Sequence, residues 1–252
     1  LVPRLASRFR VIAFDRPGHG LSGWPSRGGE TLRGQARLIH AALGRMGIDR
    51  ALVAGPSYGG SVALGWALEA PGSVAGLLLI AAPSQVWPGG GIGPLQTILS
   101  NRLAGPLFAR GASVLVSEGF IQARVRRAFA PQPAPPGYFE HLRRELVLHP
   151  RNLRRNARQL KALKNEIRAL VPLYPGLAMP IEILHGSADR TVPIHIHAEP
   201  LARQLPAARL TRLEGIGHMP QHAVPEAVRA ALERLRAAAG WQAPAGETLH
   251  GA

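Results

Sequence analysis

The sequence predicts an α/β fold: a mostly parallel sheet with flanking helices and an inserted helical segment. Short apolar runs with no polar face alternate with stretches whose apolar residues recur at helical spacing, as parallel strands covered by helices require. That alternation stops near Pro83 and resumes near Ile181, so a long stretch of different character interrupts one pattern. With 252 residues, 46% of them hydrophobic, the chain can bury one sizeable core.

Taken in order, Leu1 to Ser7 reads as the end of a helix leading into a buried strand at Val11 to Asp15. Arg16-Pro17-Gly18-His19-Gly20 then punctuates a loop. Thr31 to Met46 places Leu32, Ala36, Ile39, Ala42 and Leu43 at helical spacing; Ala51 to Ala54 is a strand, and Ser61 to Ala70 a helix. Val74 to Ala82 is apolar throughout, which marks a strand covered on both faces. The second half supplies a strand at Ile181 to Leu184, a helix at about 195–204, a strand at Ala208 to Leu213 and an amphipathic helix near Glu226 to Ala238.

These halves, 1–83 and 179–239, are expected to form one discontinuous core, with 84–178 a helical cap and 240–252 a disordered tail. The cap begins with an apolar, charge-poor stretch, Ile92 to Val116. Packing of this stretch on the core is preferred over contact with a membrane surface, because amphipathic stripes usually face a core.

The formal charge is +15, and arginine supplies 28 of the 30 cations because Lys161 and Lys164 are the only lysines. The arginines are spread along the chain, with denser groups only at Arg126-Arg127, Arg143-Arg144 and Arg151 to Arg158. No zinc-finger or aromatic RNA-binding motif accompanies them, so a solvated basic surface is preferred over nucleic-acid binding. The absence of cysteine excludes disulfides, thiol nucleophiles and Cys-ligated zinc. No apolar run approaches the roughly 20 residues that span a bilayer, and a cytoplasmic setting is expected.

The chemistry-bearing residues lie just after strands. Gly55-Pro56-Ser57-Tyr58-Gly59 joins a strand to a helix, the setting of a nucleophile elbow, in which the sharp turn forces Ser57 into a strained, exposed pose. A Cβ at Gly55 or Gly59 is expected to collide across that turn. A serine needs a base, and the base needs an orienting carboxylate. Asp189 follows the strand Ile181 to Leu184, and His218 follows the strand ending at Leu213. Three loops at the carboxyl ends of parallel strands converge on one sheet edge.

With Phe14-Asp15-Arg16-Pro17-Gly18-His19-Gly20-Leu21-Ser22, the Ser57 elbow, the Asp189 loop ending in Val192-Pro193, and Gly217-His218, the chain resembles the α/β-hydrolase superfamily in its capped serine-hydrolase branch. The resemblance covers nearly all of residues 5–238 and implies an α/β-hydrolase fold. It implies Ser57 as nucleophile, His218 as general base and then acid, Asp189 as its orienter and the Tyr58 backbone N–H as an oxyanion donor. Pro56 departs from the His, Asn or Gln common there, and it suits the extended Gly55. A serine at the elbow argues against the dehalogenase and epoxide-hydrolase branches, which use Asp.

The reaction expected is hydrolysis, without cofactor or metal, of an ester or thioester of an apolar acid; carbon–carbon hydrolysis uses the same triad and stays open. A non-catalytic binding module and a basic nucleic-acid binder are the alternatives, and the oligomeric state is open. Among competing residues, Glu182 is expected at solvent or an edge, His195 and His197 at an exposed helix start, His185 in a structural role and His19 as a loop brace. His222 is the rival base, disfavoured because Gly217 leads into His218.

In the family the strand at Val11 to Asp15 is the fourth, and the third lies between it and Ala51 to Ala54. The chain is therefore expected to be the C-terminal portion of a longer hydrolase, lacking about 25–60 upstream residues and a second oxyanion donor, nearly inactive and poorly stable alone. Val11 to Asp15 would either leave a slot in the sheet or shift to pair with Ala51 to Ala54.

Overall fold

A computed structural model describes residues 1–25, 28–90 and 93–241. Four strands, β1 (Ala51–Pro56), β2 (Val74–Ile80), β3 (Ile181–Gly186) and β4 (Arg209–Leu213), form a parallel sheet in the order β1-β2-β3-β4. β2 and β3 are buried along their whole length, which accounts for their unbroken apolar character apart from Glu182 and His185.

Helices cover both faces. On one lie α2 (Leu32–Arg45), α3 (Tyr58–Glu69) and α10 (Ala198–Gln204), which share a core with β2 and β3 through Leu32, Leu64, Leu77 and Ile183. On the other, α1 (Val2–Leu5) and α12 (Pro225–Ala238) close over Leu78, Ile80 and Leu184 with Leu5, Val228 and Leu235. Thr31 starts α2 where the sequence places it, its hydroxyl accepting from Gly34 N–H as an N-cap should.

The stretch between β2 and β3 is helical: α4 (Pro94–Ser100), α5 (Ala104–Leu115), α6 (Glu118–Phe129), the single turns α7 (Tyr138–His141) and α8 (Arg144–Val147), and the long α9 (Pro150–Leu170). α9 adds Leu163, Ile167 and Leu170 to the core that α2 and α3 build. α4 and α5 rest on α9 through the small cluster Leu99, Ala109 and Ala157. The short α11 (Pro220–Ala223) precedes α12. Ile92 and residues 242–252, the start of the expected apolar stretch and most of the expected disordered tail, lie outside the described residues.

Two expectations are corrected. Val11 to Asp15 is not a strand: it makes no ladder, and it does not shift sideways to pair with β1, whose ladder partner is β2. Its side chains still pack, Val11 toward the α12 face and Ile12 toward the α2 face, so the apolar pattern is satisfied without backbone pairing. Glu182 is buried, because Arg234 of α12 reaches over the sheet and donates from Nε and a terminal nitrogen at 2.8 and 2.7 Å. A paired guanidinium fork offsets the desolvation that excludes a lone carboxylate.

Candidate active site

β1 ends at Pro56 and α3 begins at Tyr58, leaving Ser57 alone to reverse the chain at φ +48° and ψ −126°. A non-glycine residue there carries strain of about 1–3 kcal/mol. The surroundings enforce it: Ser57 N–H donates to Ile80 O at 2.8 Å, and Gly60 N–H returns to Ser57 O at 2.8 Å. A Cβ at Gly55 would run into Gly59 O, as expected. Gly59 corrects the sequence reading, since a Cβ there would meet only Pro56 Cδ at 3.5 Å. The second tight position is Gly60, which faces the Ala82 side chain.

Ser57, His218 and Asp189 are brought together from three loops. Ser57 Oγ lies 2.9 Å from His218 Nε2, and His218 Nδ1 lies 2.7 Å from Asp189 Oδ2. A carboxylate only accepts, so Nδ1 carries the proton and Nε2 is left bare to receive one from the serine. Asp189 Oδ1 accepts from Thr191 N–H and Val192 N–H at 2.8 and 2.9 Å, which fixes the carboxylate plane. Burial pushes the Asp189 acid up, but the neighbouring His185 and His218 rings and the Val192 N–H outweigh it and hold it well below the usual carboxylate range.

Tyr58 is the first residue of α3, so its N–H has no carbonyl one turn earlier to bond and lies beside the serine. Its phenol has a different fate. The ring is buried under the Arg16 guanidinium, 4.1 Å from its centroid, and the hydroxyl accepts from Gln35 Nε2 at 3.2 Å. Burial drives the phenol up to about 12, outside acid–base work near neutrality.

The rival histidines fall elsewhere. His222 packs against the rings of Phe129 and Tyr138, 5.4 Å from each. His19 donates from Nε2 to Gln159 Oε1 at 2.7 Å, the brace expected of it, and burial pushes it down to about 4. His195 is exposed as expected, but His197 is buried. Its Nδ1 accepts from Ser84 N–H and Gln85 N–H, and burial lowers it to about 4. Among the described residues, no three His, Cys, Asp or Glu side chains group where a metal ion would be held.

Three residues support the site: His185, for which the sequence predicts a structural role, and Gln132 and Gln35, which escape a sequence reading. His185, fully buried, donates from Nε2 to Val192 O at 2.7 Å and lies 3.4 Å from Asp189 Oδ2. Gln132 clasps the loop before His218, donating to Gly215 O and accepting from Gly217 N–H, both at 2.8 Å. Gln35 holds the Tyr58 hydroxyl. Gln132 lies in the proline-rich run Pro131 to Gly137, where nothing in the sequence marks it out. Gly217 is explained by the backbone just before Gln132, since a Cβ there would press on Ala130 O.

A model of the alpha/beta hydrolase family matches residues 1–231. The chain belongs to this family. The pimeloyl-[acyl-carrier protein] methyl ester esterase of Aromatoleum aromaticum is 31% identical over 246 residues, covering 90% of this chain and 87% of that protein. The magnesium-chelatase 30 kDa subunit of Rhodobacter capsulatus is 29% identical over 224 residues, 87% of this chain and 74% of that one. Among solved structures, the 2-hydroxy-6-oxo-6-phenylhexa-2,4-dienoate hydrolase of Rhodococcus sp. superposes with a TM-score of 0.73 at 24% identity. It covers 94% of this chain and 83% of its own, a likeness of fold. Membership makes the protein a hydrolase of the α/β fold; no helix among the described residues is long and apolar enough to cross a membrane.

Proposed function

We propose that the protein is a serine hydrolase that cleaves an ester or thioester of an apolar small molecule through an acyl-enzyme. The observation that carries this reading is the continuous hydrogen-bond line from Ser57 Oγ through His218 to Asp189, with the serine in its strained turn. Ser57 attacks the carbonyl carbon while His218 Nε2 takes its proton, and Asp189 stabilises the imidazolium that forms. The Tyr58 N–H, at the positive end of α3, faces the developing oxyanion. His218 then protonates the leaving group, and a water, deprotonated by the same nitrogen, releases the acid.

A serine at position 57, where an alkyl-transfer branch would need a carboxylate, supports acyl chemistry, and the methyl ester esterase among the relatives supports an ester. The apolar acyl preference rests on 84–178, a stretch read as a cap, which is rich in Leu, Ile, Val and Phe and gathers no acids to bind a cationic substrate. With a short p-nitrophenyl ester, Asp189→Asn is expected to keep the fold and lower kcat by about 10³–10⁴, because the amide presents the wrong partner to Nδ1. A loss below about tenfold would remove Asp189 from the mechanism.

A further inference from the structure

α5 is inside out. The side it lays on α9 is made of small residues, Ala109 fully buried and Gly105, where a Cβ would meet Leu99 O at 2.6 Å. Its large apolar side chains point away. Leu103, just before the helix, is 92% exposed, Leu107 73%, Val114 78% and Leu115 81%, four of the five most exposed large apolar residues described. Phe108 on the same helix and Phe120 on α6 are exposed as well, so packing on the core, which the sequence favoured, accounts only for the small-residue side.

Arginine is threaded through this face. At about 100° per residue, Leu103, Leu107, Arg110 and Val114 fall within about 60° of one another on α5. Phe120, Arg124 and Arg127 repeat the arrangement on α6 at intervals of four and three. Arg102, Arg110, Arg124, Arg126 and Arg127 are all exposed, and among the described residues none joins an ion pair. Glu118 is the only acid between residues 94 and 129.

We propose that the outward face of α5, followed directly in the chain by the exposed Phe120 and arginines of α6, seats the protein on the surface of an anionic lipid bilayer. The apolar side chains enter the headgroup boundary, and the arginines meet lipid phosphates on either side. A second copy of the chain is the poorer occupant, because it would bring the same cations against these. The proposal concerns the face alone and does not depend on the reaction at Ser57.

The test is sedimentation of the purified protein with vesicles of phosphatidylcholine alone and with about one third phosphatidylglycerol. Binding to the mixed vesicles, weak binding to the neutral ones and release by salt are expected. Leu103→Ser, Leu107→Ser and Val114→Ser combined should cut binding by at least about tenfold at an unchanged unfolding midpoint, since these side chains support little of the fold. Arg110→Gln and Arg124→Gln should each cost about fivefold on the mixed vesicles. No sedimentation with mixed vesicles, equal binding to both compositions, or undiminished binding by the triple variant would overturn the proposal. So would a vesicle-free dimer that the triple variant turns into monomer, which would assign the face to a second copy.

Discussion

A methyl group separates two neighbouring glycines at the serine turn. At Gly60 it would press on the Ala82 side chain and approach Gly55 O to 2.9 Å; at Gly59 it would rest on Pro56 Cδ at 3.5 Å. Gly60→Ala is therefore expected to lower stability by about 1–3 kcal/mol, as overpacking does. Gly59→Ala should be neutral or gain up to about 1 kcal/mol of helix propensity. Urea unfolding of the two variants reads the difference, and equal losses would contradict the geometry. The sequence pattern points to Gly59 because motif spacing records which positions are commonly glycine. The actual crowding at Gly60 comes from Ala82, beyond the end of β2. Ser57, His218 and Asp189 were legible because each directly follows a strand, so topology alone brings them to one edge. His197 and Glu182 were misread for the opposite reason: their partners, Ser84 and Gln85 for one and Arg234 for the other, lie far along the chain.

α9 shows how an element inside an insertion becomes part of the core. Gln159 is fully buried, and its amide makes all four bonds available to it. Oε1 accepts from Arg16 and His19, both at 2.7 Å, and Nε2 donates to Pro17 O and Gly29 O, both at 2.9 Å. One and two turns away along the same helix, Arg155 lies over the Trp24 ring and Asn152 donates to Gly20 O. Farther on, Glu166 accepts from Leu32 N–H, the positive start of α2. The loop that carries Arg16 and His19 is thus tied to α9 as firmly as to the sheet. Gln159→Leu is expected to cost about 2–3 kcal/mol, because it leaves the Pro17 and Gly29 carbonyls unpaired and takes one of two amide partners from Arg16, which keeps Gln35. A loss under about 0.5 kcal/mol in urea unfolding would show that water replaces the amide. Periodicity located α9 by its apolar face, but a lone Gln in an arginine-rich helix carries no sequence signal of burial. The strand expected at Val11 to Asp15 failed on a related point, since an apolar run states that side chains are buried and leaves open whether a neighbouring strand pairs its backbone.

At the scale of the whole molecule, acid should unfold the protein in two stages. His19 and His197 are each pushed down from 6.5 to about 4 by burial, so between those pH values the unfolded chain binds protons that the folded one refuses. Their contribution is present above about 6.5 and is lost as pH falls toward 4. Asp189, held below the usual carboxylate range, adds stability that persists above the unfolded carboxylate pKa of about 3.9 and disappears only in stronger acid. A falling unfolding midpoint from pH 7 to 4.5 is expected, with a flatter profile in His19→Gln/His197→Gln; a flat profile in the unsubstituted protein would contradict the burial of both rings. The four strands of the sheet and its flanking helices were readable from periodicity, whereas the charge of +15 gave no hint of how the arginines divide between part-buried braces such as Arg16 and exposed positions on α5 and α6. The central claim, that Ser57 is a nucleophile activated by His218, is tested most directly by incubation with a fluorophosphonate and peptide mapping of the adduct. Label on Ser57 alone, abolished in Ser57→Ala and strongly slowed in His218→Ala, is the expected result; label that persists in Ser57→Ala, or a folded protein that takes none, would contradict it.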